Sequence, residues 1–163
     1  MPVVAIDPGT ANTGLVYMDE RRIICAKTLT HRKAVRGDQY ALMGRAREIA
    51  EQVAAWAADK PHEAVVIEGF VGFSGRQGGY TYQTPYLCGY LHRALEGERI
   101  VIQTSRQVLN PRSAGSMAQM MDMLRSGTRP VKGSELLTNE HLRSAACHGA
   151  YYYKTKGRER RCS

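Results

Sequence analysis

Two short apolar runs that each end in an acid constrain the fold of this chain more than any other feature. Residues 3–7 read VVAID and residues 65–68 read VVIE. Such continuous apolar runs are typical of central strands that are buried on both faces of a sheet. If the two strands are parallel neighbours, Asp7 and Glu68 emerge at one edge of the sheet, where catalytic groups collect in α/β folds.

The segment between these runs predicts how they are connected. Gly14–Met18 and Arg22–Thr30 are strand candidates with short connections, which indicates an antiparallel meander of three strands. A long helix is predicted from an N-cap at Asp38 to about Asp59, and Pro61 ends it. Its apolar positions form one stripe: Leu42, Ala46, Ile49, Val53 and Trp56. A helix that joins two buried strands favours a parallel pair.

The second half of the chain continues the alternation of strands and helices. A helix is predicted from about Pro85 to Leu95, a strand at Arg99–Gln103, and helical stretches near 113–126 and 138–153. The order β-β-β-α-β-α-β-α-α predicts an α/β fold, with a mixed five-stranded sheet flanked by helices. We expect one domain over residues 1–153, followed by a flexible basic tail over 154–163.

Charge and composition narrow the function classes. The net charge is +8, and the last ten residues hold five basic side chains against one acid. This tail fits a solubilising segment and a polyanion contact equally well. No apolar run approaches the ~20 residues of a membrane span. The N-terminus lacks the pattern of a secretion signal, and the four cysteines are scattered without a CxxC pair, so we expect a cytosolic chain with reduced thiols.

The two strand-end acids favour a metal site when they are considered together. Singly, Asp7 is better explained as the cap of an Asp-Pro-Gly turn, and Glu68 as a charge that meets solvent. Carboxylates held close together repel each other unless a cation lies between them, and Mg²⁺ or Mn²⁺ prefers oxygen ligands. Two such ions about 4 Å apart can activate a water and stabilise the leaving oxygen of a phosphodiester.

Four segments resemble, in the correct order, the RuvC family of Holliday-junction resolvases, which have the RNase H-like (retroviral integrase) fold. AIDPGTANTGLVYMD resembles the opening strand of that family, and VVIEGFVGF its second acidic motif. TPYLCGYLHRAL is similar to the glycine-containing helix that follows, and NEHLRSAACHGAYY to the C-terminal catalytic helix. The set covers most of the chain.

The resemblance implies which residues are catalytic. Asp7 and Glu68 correspond to metal ligands. The family places two further ligands three residues apart on the last helix, on one helical face. These positions are His141 and Ser144, and Ser144 stands where an Asp is expected. Either the chain has lost cleavage while keeping DNA binding, or Glu140 compensates. The first is favoured, because Glu140 projects about 100° away from His141 on the helix.

The resemblance also implies an activity. It predicts a crossover junction endodeoxyribonuclease of DNA recombination and repair, with two Mg²⁺ ions in each active site, or Mn²⁺ in their place. Hydrolysis would leave a 5′-phosphate and a 3′-hydroxyl. The partners would be a four-way DNA junction and a second copy of the chain, and no membrane. The setting would be the bacterial cytoplasm and nucleoid, or a host cytoplasm or organelle matrix if the source is viral or organellar.

Several segments are candidates for DNA and dimer contacts. The loop after Glu68 is rich in glycine and aromatics, which can stack on an unpaired base or fold back onto the core. The DNA-contact candidates are Phe70, Phe73, Arg76, Tyr80, Arg106, Arg112 and Lys132, with Tyr82, Arg125 and Arg129 as further possibilities. The basic ones fit a solvated face equally well. The helix from about Pro85 to Leu95 is a candidate dimer interface or simply core.

Three other functions remain as alternatives. DPGTANTG resembles the phosphate-binding turn of actin and heat-shock ATPases and of sugar kinases, but those clamp a nucleotide between two domains. The second alternative is a related RNase H-like protein of RNA processing, but members of that group lack the IEGF-type second motif. A non-catalytic DNA-binding module fits the serine at position 144.

Overall fold

A computed structural model describes residues 1–31, 38–69, 83–108 and 139–159. The strands are β1 (Val3–Asp7), β2 (Asn12–Met18), β3 (Ile23–Thr30), β4 (Val65–Gly69) and β5 (Ile100–Thr104). The helices are α1 (Gln39–Ala58), α2 (Gln83–Ala94), α3 (Ser105–Val108) and α4 (Glu140–Glu159). The predicted helical stretch near 113–126 lies outside the described residues.

The five strands form one mixed sheet in the order β3-β2-β1-β4-β5. The meander of β1, β2 and β3 is antiparallel, whereas β4 pairs in parallel with both β1 and β5. This arrangement confirms the predicted α/β fold class. The crossover through α1 makes β1 and β4 parallel neighbours, so that their carboxyl ends meet at one edge.

Helix α1 begins where its sequence predicts. The Asp38 side chain accepts a hydrogen bond from the Ala41 backbone N–H at 3.0 Å, which confirms it as the N-cap. Ala46, Ile49 and Val53 are buried along one face. The helix ends at Ala58. Lys60 and Pro61 follow shortly after it, and the chain then continues into β4.

Alternating strand residues supply two separate cores, one on each face of the sheet. Val4, Ile6 and Leu15 pack against α1 and α2. Val3, Ala5 and Val66 pack against α4 on the opposite face. Because side chains alternate along a strand, Asp7 follows Val3 and Ala5 toward α4, and Glu68 follows Val66.

Helix α2 contributes mainly to the first of these cores. Leu87 and Leu91 are fully buried there, and Tyr90 packs against the same cluster. Leu87 and Leu91 are therefore core residues, as one of the two alternatives for this helix predicts. Tyr86 remains exposed on the outer side of the helix.

Helix α4 is longer than its sequence suggests, because it continues to Glu159 rather than to about residue 153. The Lys156 ammonium pairs with Glu63, and both side chains are mostly buried. The Tyr153 hydroxyl donates to the backbone oxygens of Met1 and Met18. Lys156 is a residue that the sequence assigned to the flexible tail over 154–163. Residues 160–163 of that tail lie outside the described residues.

Asp38→Ala should destabilise the chain by about 1 kcal/mol, since one N–H of the first turn of α1 loses its acceptor. Urea unfolding at neutral pH would measure this. Arg47→Ala is a suitable control, because Arg47 and its partner Glu51 are both exposed on the same helix and such pairs contribute less than about 0.5 kcal/mol. An equal effect of the two substitutions would contradict the capping role.

Candidate active site

Two carboxylates meet at the carboxyl ends of β1 and β4. Ile6 and Ile67 are partners in the parallel ladder, which brings the next residues, Asp7 and Glu68, side by side at one edge. Both side chains are mostly buried, with 16% and 20% of their surface exposed. The two acids therefore lie together at one edge of the sheet, as the sequence predicts.

The first turn of α4 lies against this edge because Asn139 fixes it there. The Asn139 side-chain oxygen accepts hydrogen bonds from the backbone N–H groups of His141 (3.0 Å) and Leu142 (3.2 Å). Its amide nitrogen donates to the Thr28 hydroxyl on β3 at 3.0 Å. On β2, a Cβ at Gly14 would overlap the backbone carbonyl of His141, so glycine permits the close approach of strand and helix.

His141 faces Asp7 across this junction, with 3.0 Å between its Nδ1 and the Asp7 Oδ2. The adjacent Glu140 is 82% exposed, and its Oε1 lies 4.0 Å from the outer nitrogen of His141. Glu140 is thus largely in solvent, beside the His141 ring.

Glu68 is held by hydrogen-bond donors from two helices. The Ser144 hydroxyl donates to Oε2 at 2.7 Å, and the Ser105 hydroxyl on α3 donates to Oε1. His148 places its Nε2 3.5 Å from Oε2. The nitrogen on the other side of this ring, Nδ1, is 3.2 Å from the side-chain oxygen of Gln103 on β5.

The surroundings shift the pKa values of the two acids in opposite directions. Burial, followed by the charge of Glu68, raises the pKa of Asp7 to about 6, although His141 acts to lower it. Burial also acts to raise the pKa of Glu68, but hydrogen bonds from His148, Ser105 and Ser144 outweigh it and hold this pKa at about 2. Both acids are therefore ionised at neutral pH, and the pKa of Asp7 lies only about one unit below it.

Sequence reasoning placed Asp7, Glu68, His141 and Ser144 at one site, and the geometry brings these four together. It missed Ser105, Gln103 and His148. A signal for His148 was present, since it follows His141 by seven residues and Ser144 by four, which places all three on one helical face. No motif marks Ser105.

Most of the DNA-contact candidates lie outside the described residues. This holds for Phe70, Phe73, Arg76, Tyr80, Tyr82, Arg112, Arg125, Arg129 and Lys132. Arg106 belongs to α3, directly after Ser105. Their role in DNA binding stays a prediction.

The donor set fits a hard divalent cation in its chemistry. In the described part of the chain, no three His, Cys, Asp or Glu side chains are already arranged as a metal-binding group. Asp7 and Glu68 are nevertheless two mostly buried carboxylates, and their repulsion adds to the effect of burial in raising the pKa of Asp7. A cation between them would relieve that repulsion, and oxygen donors suit Mg²⁺ or Mn²⁺.

Comparison with solved structures identifies the fold. The chain matches Thermus thermophilus RuvC with a TM-score of 0.70 and 18% identity, over 96% of this chain and 97% of RuvC. It matches T. thermophilus RuvC in complex with a Holliday junction substrate with a TM-score of 0.67 and 20% identity, over 96% of each chain. For the Fowlpox virus resolvase in complex with Holliday junction DNA, the TM-score is 0.57 and the identity 13%, over 95% and 98% of the two chains.

At these identities the likeness shows the fold. The chain has the RNase H-like fold of RuvC, which confirms at that level the resemblance drawn from its motifs. No model of a known protein family matches the sequence, and no curated protein matches it. Within the described residues, no helix is both long and apolar enough to cross a bilayer.

The opposite pKa shifts predict opposite mutational effects without metal. The folded pKa of Asp7 (about 6) exceeds its ordinary value of 3.8, so its contribution to stability is present below pH 3.8 and lost as the pH rises through 6. At pH 8 the ionised side chain opposes folding, and Asp7→Asn should stabilise the chain by about 1–2 kcal/mol. Urea unfolding in EDTA should show this gain in full at pH 8, about half of it at pH 5 and little of it near pH 3.8.

Glu68→Gln is the matched control, because it should have the opposite sign. The pKa of Glu68 is lowered from 4.5 to about 2, so its stabilising contribution is present above pH 4.5 and lost as the pH falls through 2. The substitution should therefore destabilise the chain at pH 8. Equal losses of stability from both substitutions would mean that ionisation of Asp7 does not oppose folding.

Proposed function

We propose that this chain is a structure-selective endodeoxyribonuclease of the RuvC type that acts on four-way DNA junctions. The observation that carries the proposal is the meeting of Asp7 and Glu68 with His141 and Ser144 at one edge of an RNase H-like sheet. Two of the structures with this fold are complexes with Holliday junction DNA, which supports the same substrate for this chain.

Asp7, Glu68 and His141 would hold the divalent ions, of which we expect two in each active site. When bound, Mg²⁺ or Mn²⁺ would polarise a water for in-line attack on the phosphodiester and stabilise the leaving oxygen. The protein's own contribution is orientation. His141 fixes the Asp7 carboxylate, and the donors around Glu68 fix the second carboxylate before a substrate arrives.

Ser144 weakens this site as a nuclease. Its hydroxyl donates a hydrogen bond to Glu68, whereas a carboxylate in its place would add a negative charge for the cations to neutralise. The described site therefore has two acids for two divalent ions. We infer slow cleavage by the chain as it stands.

The substrate and the assembly follow from the same proposal. A four-way junction has pseudo-two-fold symmetry and needs paired cuts, which two active sites in a homodimer would make. The exposed side of α2, with Tyr86, remains available for the contact between copies. The net charge of +8 favours binding to the phosphate backbone.

A second candidate function is junction binding without cleavage, and Ser144 is the observation that favours it. With its hydroxyl bonded to Glu68, the site has a neutral donor where hydrolysis needs another anionic ligand. Binding through basic side chains does not depend on this position.

Ser144→Asp distinguishes the two candidates. We expect cleavage of a synthetic four-way junction in saturating Mg²⁺ to rise at least about 10-fold, since partners of a metal site typically contribute 10–100-fold. Without metal, the added carboxylate beside Glu68 should lower the melting temperature, and Mg²⁺ should then raise it more than in the unmodified protein. Single-turnover kinetics and thermal unfolding measure the two effects.

Ser144→Asn is the control, because it matches Asp in size but brings no charge. It should change neither the cleavage rate nor the response of the melting temperature to Mg²⁺. A matched linear duplex should be cut poorly by all variants. Junction binding with no cleavage by either the unmodified chain or Ser144→Asp would support the binding module and remove the nuclease proposal.

A further inference from the structure

His148 is a buried histidine that faces Glu68 from α4. Only 2% of its side chain is exposed. It lies one helical turn beyond Ser144 and two turns beyond His141, so these three side chains share the face of α4 that looks toward the two carboxylates. His148 contacts Glu68 from the interior of the fold.

The imidazole ring connects Glu68 to its neighbour on the adjacent strand. Glu68 and Gln103 are partners in the parallel ladder between β4 and β5, and Gln103 is itself buried. His148 Nε2 lies 3.5 Å from the Glu68 Oε2, and Nδ1 lies 3.2 Å from the Gln103 Oε1. One rigid ring therefore spans both side chains.

The hydrogen positions on this ring follow from its partners. A carboxylate only accepts, so Nε2 has to carry the hydrogen that faces Glu68. The amide of Gln103 can offer either its oxygen or its NH₂ group to Nδ1, because the two ends have nearly the same shape. The contact between His148 and Glu68 is thus compatible with a neutral and with a charged imidazole.

The other two donors to Glu68 among the described residues are serine hydroxyls, whose hydrogens rotate about the Cβ–Oγ bond. Ser105 approaches Oε1, and Ser144 approaches Oε2. The imidazole is the one rigid group among the three, and it is enclosed by the core around α4. His148 therefore adds a fixed contact to the Oε2 side of the Glu68 carboxylate, beside the shorter contacts from the two serines.

We infer that His148 is a positioning residue, which holds the Glu68 carboxylate in the orientation that binds a divalent cation. The inference rests on the proposed function, since it assigns to Glu68 the role of a metal ligand. Hydrogen-bond partners of metal ligands typically contribute 10–100-fold to metal affinity. His148 should act in the same way, although it does not touch the cation or the substrate.

Two amide substitutions separate the two contacts of the ring. In His148→Gln the side-chain nitrogen reaches the place of Nε2 and can donate to Glu68. In His148→Asn the shorter side chain reaches only the place of Nδ1, beside Gln103. Manganese binding to the full chain without DNA, followed by the electron paramagnetic resonance of free Mn²⁺, should stay within about 3-fold of the unmodified protein for His148→Gln and weaken at least about 10-fold for His148→Asn.

His62→Asn controls for the loss of a buried histidine. The His62 side chain is 5% exposed, and its Nε2 lies 3.3 Å from a carboxylate oxygen of Glu98. His62 precedes β4, so it lies at the opposite end of that strand from Glu68. It should leave Mn²⁺ affinity unchanged whatever it does to the melting temperature. Any loss of affinity that merely follows lower stability would appear in this variant as well.

The outcomes separate the inference from the function on which it rests. Asp7→Asn should abolish specific Mn²⁺ binding, which shows that the measured site is the proposed one. If it does so while His148→Asn binds Mn²⁺ as well as His148→Gln does, the positioning role is wrong and the metal site stands. If the unmodified chain and Asp7→Asn are indistinguishable, the metal site is wrong and the role of His148 falls with it.

Discussion

The repulsion between two buried carboxylates is the interaction around which the rest of this site is arranged. The parallel register of β1 and β4 brings Asp7 and Glu68 out at the same edge of the sheet. Among the described residues, three donors surround Glu68, whereas Asp7 faces the imidazole of His141 and the negative charge of Glu68. One acid is thereby kept ionised, and the other stays near its titration until a positive charge arrives.

Helix α4 is the element that makes this arrangement possible, and it is fixed at both ends by parts of the chain that are distant in sequence. Asn139 links its first turn to Thr28, and Lys156 links its last turns to Glu63. Between these anchors, Leu142, Ala145 and Ala146 pack on the sheet. The positions of His141, Ser144 and His148 are thus determined by the packing of the whole helix rather than by a local loop.

The elements that follow from local physics were predictable from the sequence. The buried strands, the cap of α1 at Asp38 and the meeting of the two acids all depend on short-range patterns and on one parallel crossover. The end of α4 was not predictable, because it depends on an ion pair between residues 93 positions apart. Ser105 was missed for a similar reason, since only the register of β4 and β5 brings it to Glu68.

Under the proposed function, Ser144 affects DNA cleavage and DNA binding differently. Under this proposal, binding of branched DNA relies on positive charge, whereas hydrolysis depends on anionic ligands that are destabilising until cations bind them. The resemblance to RuvC predicts an acid at position 144, whereas the Ser144 hydroxyl donates a hydrogen bond to Glu68. Under that proposal, Ser144 lowers the charge repulsion in the metal-free fold, and cleavage depends on this position more than binding through basic side chains does.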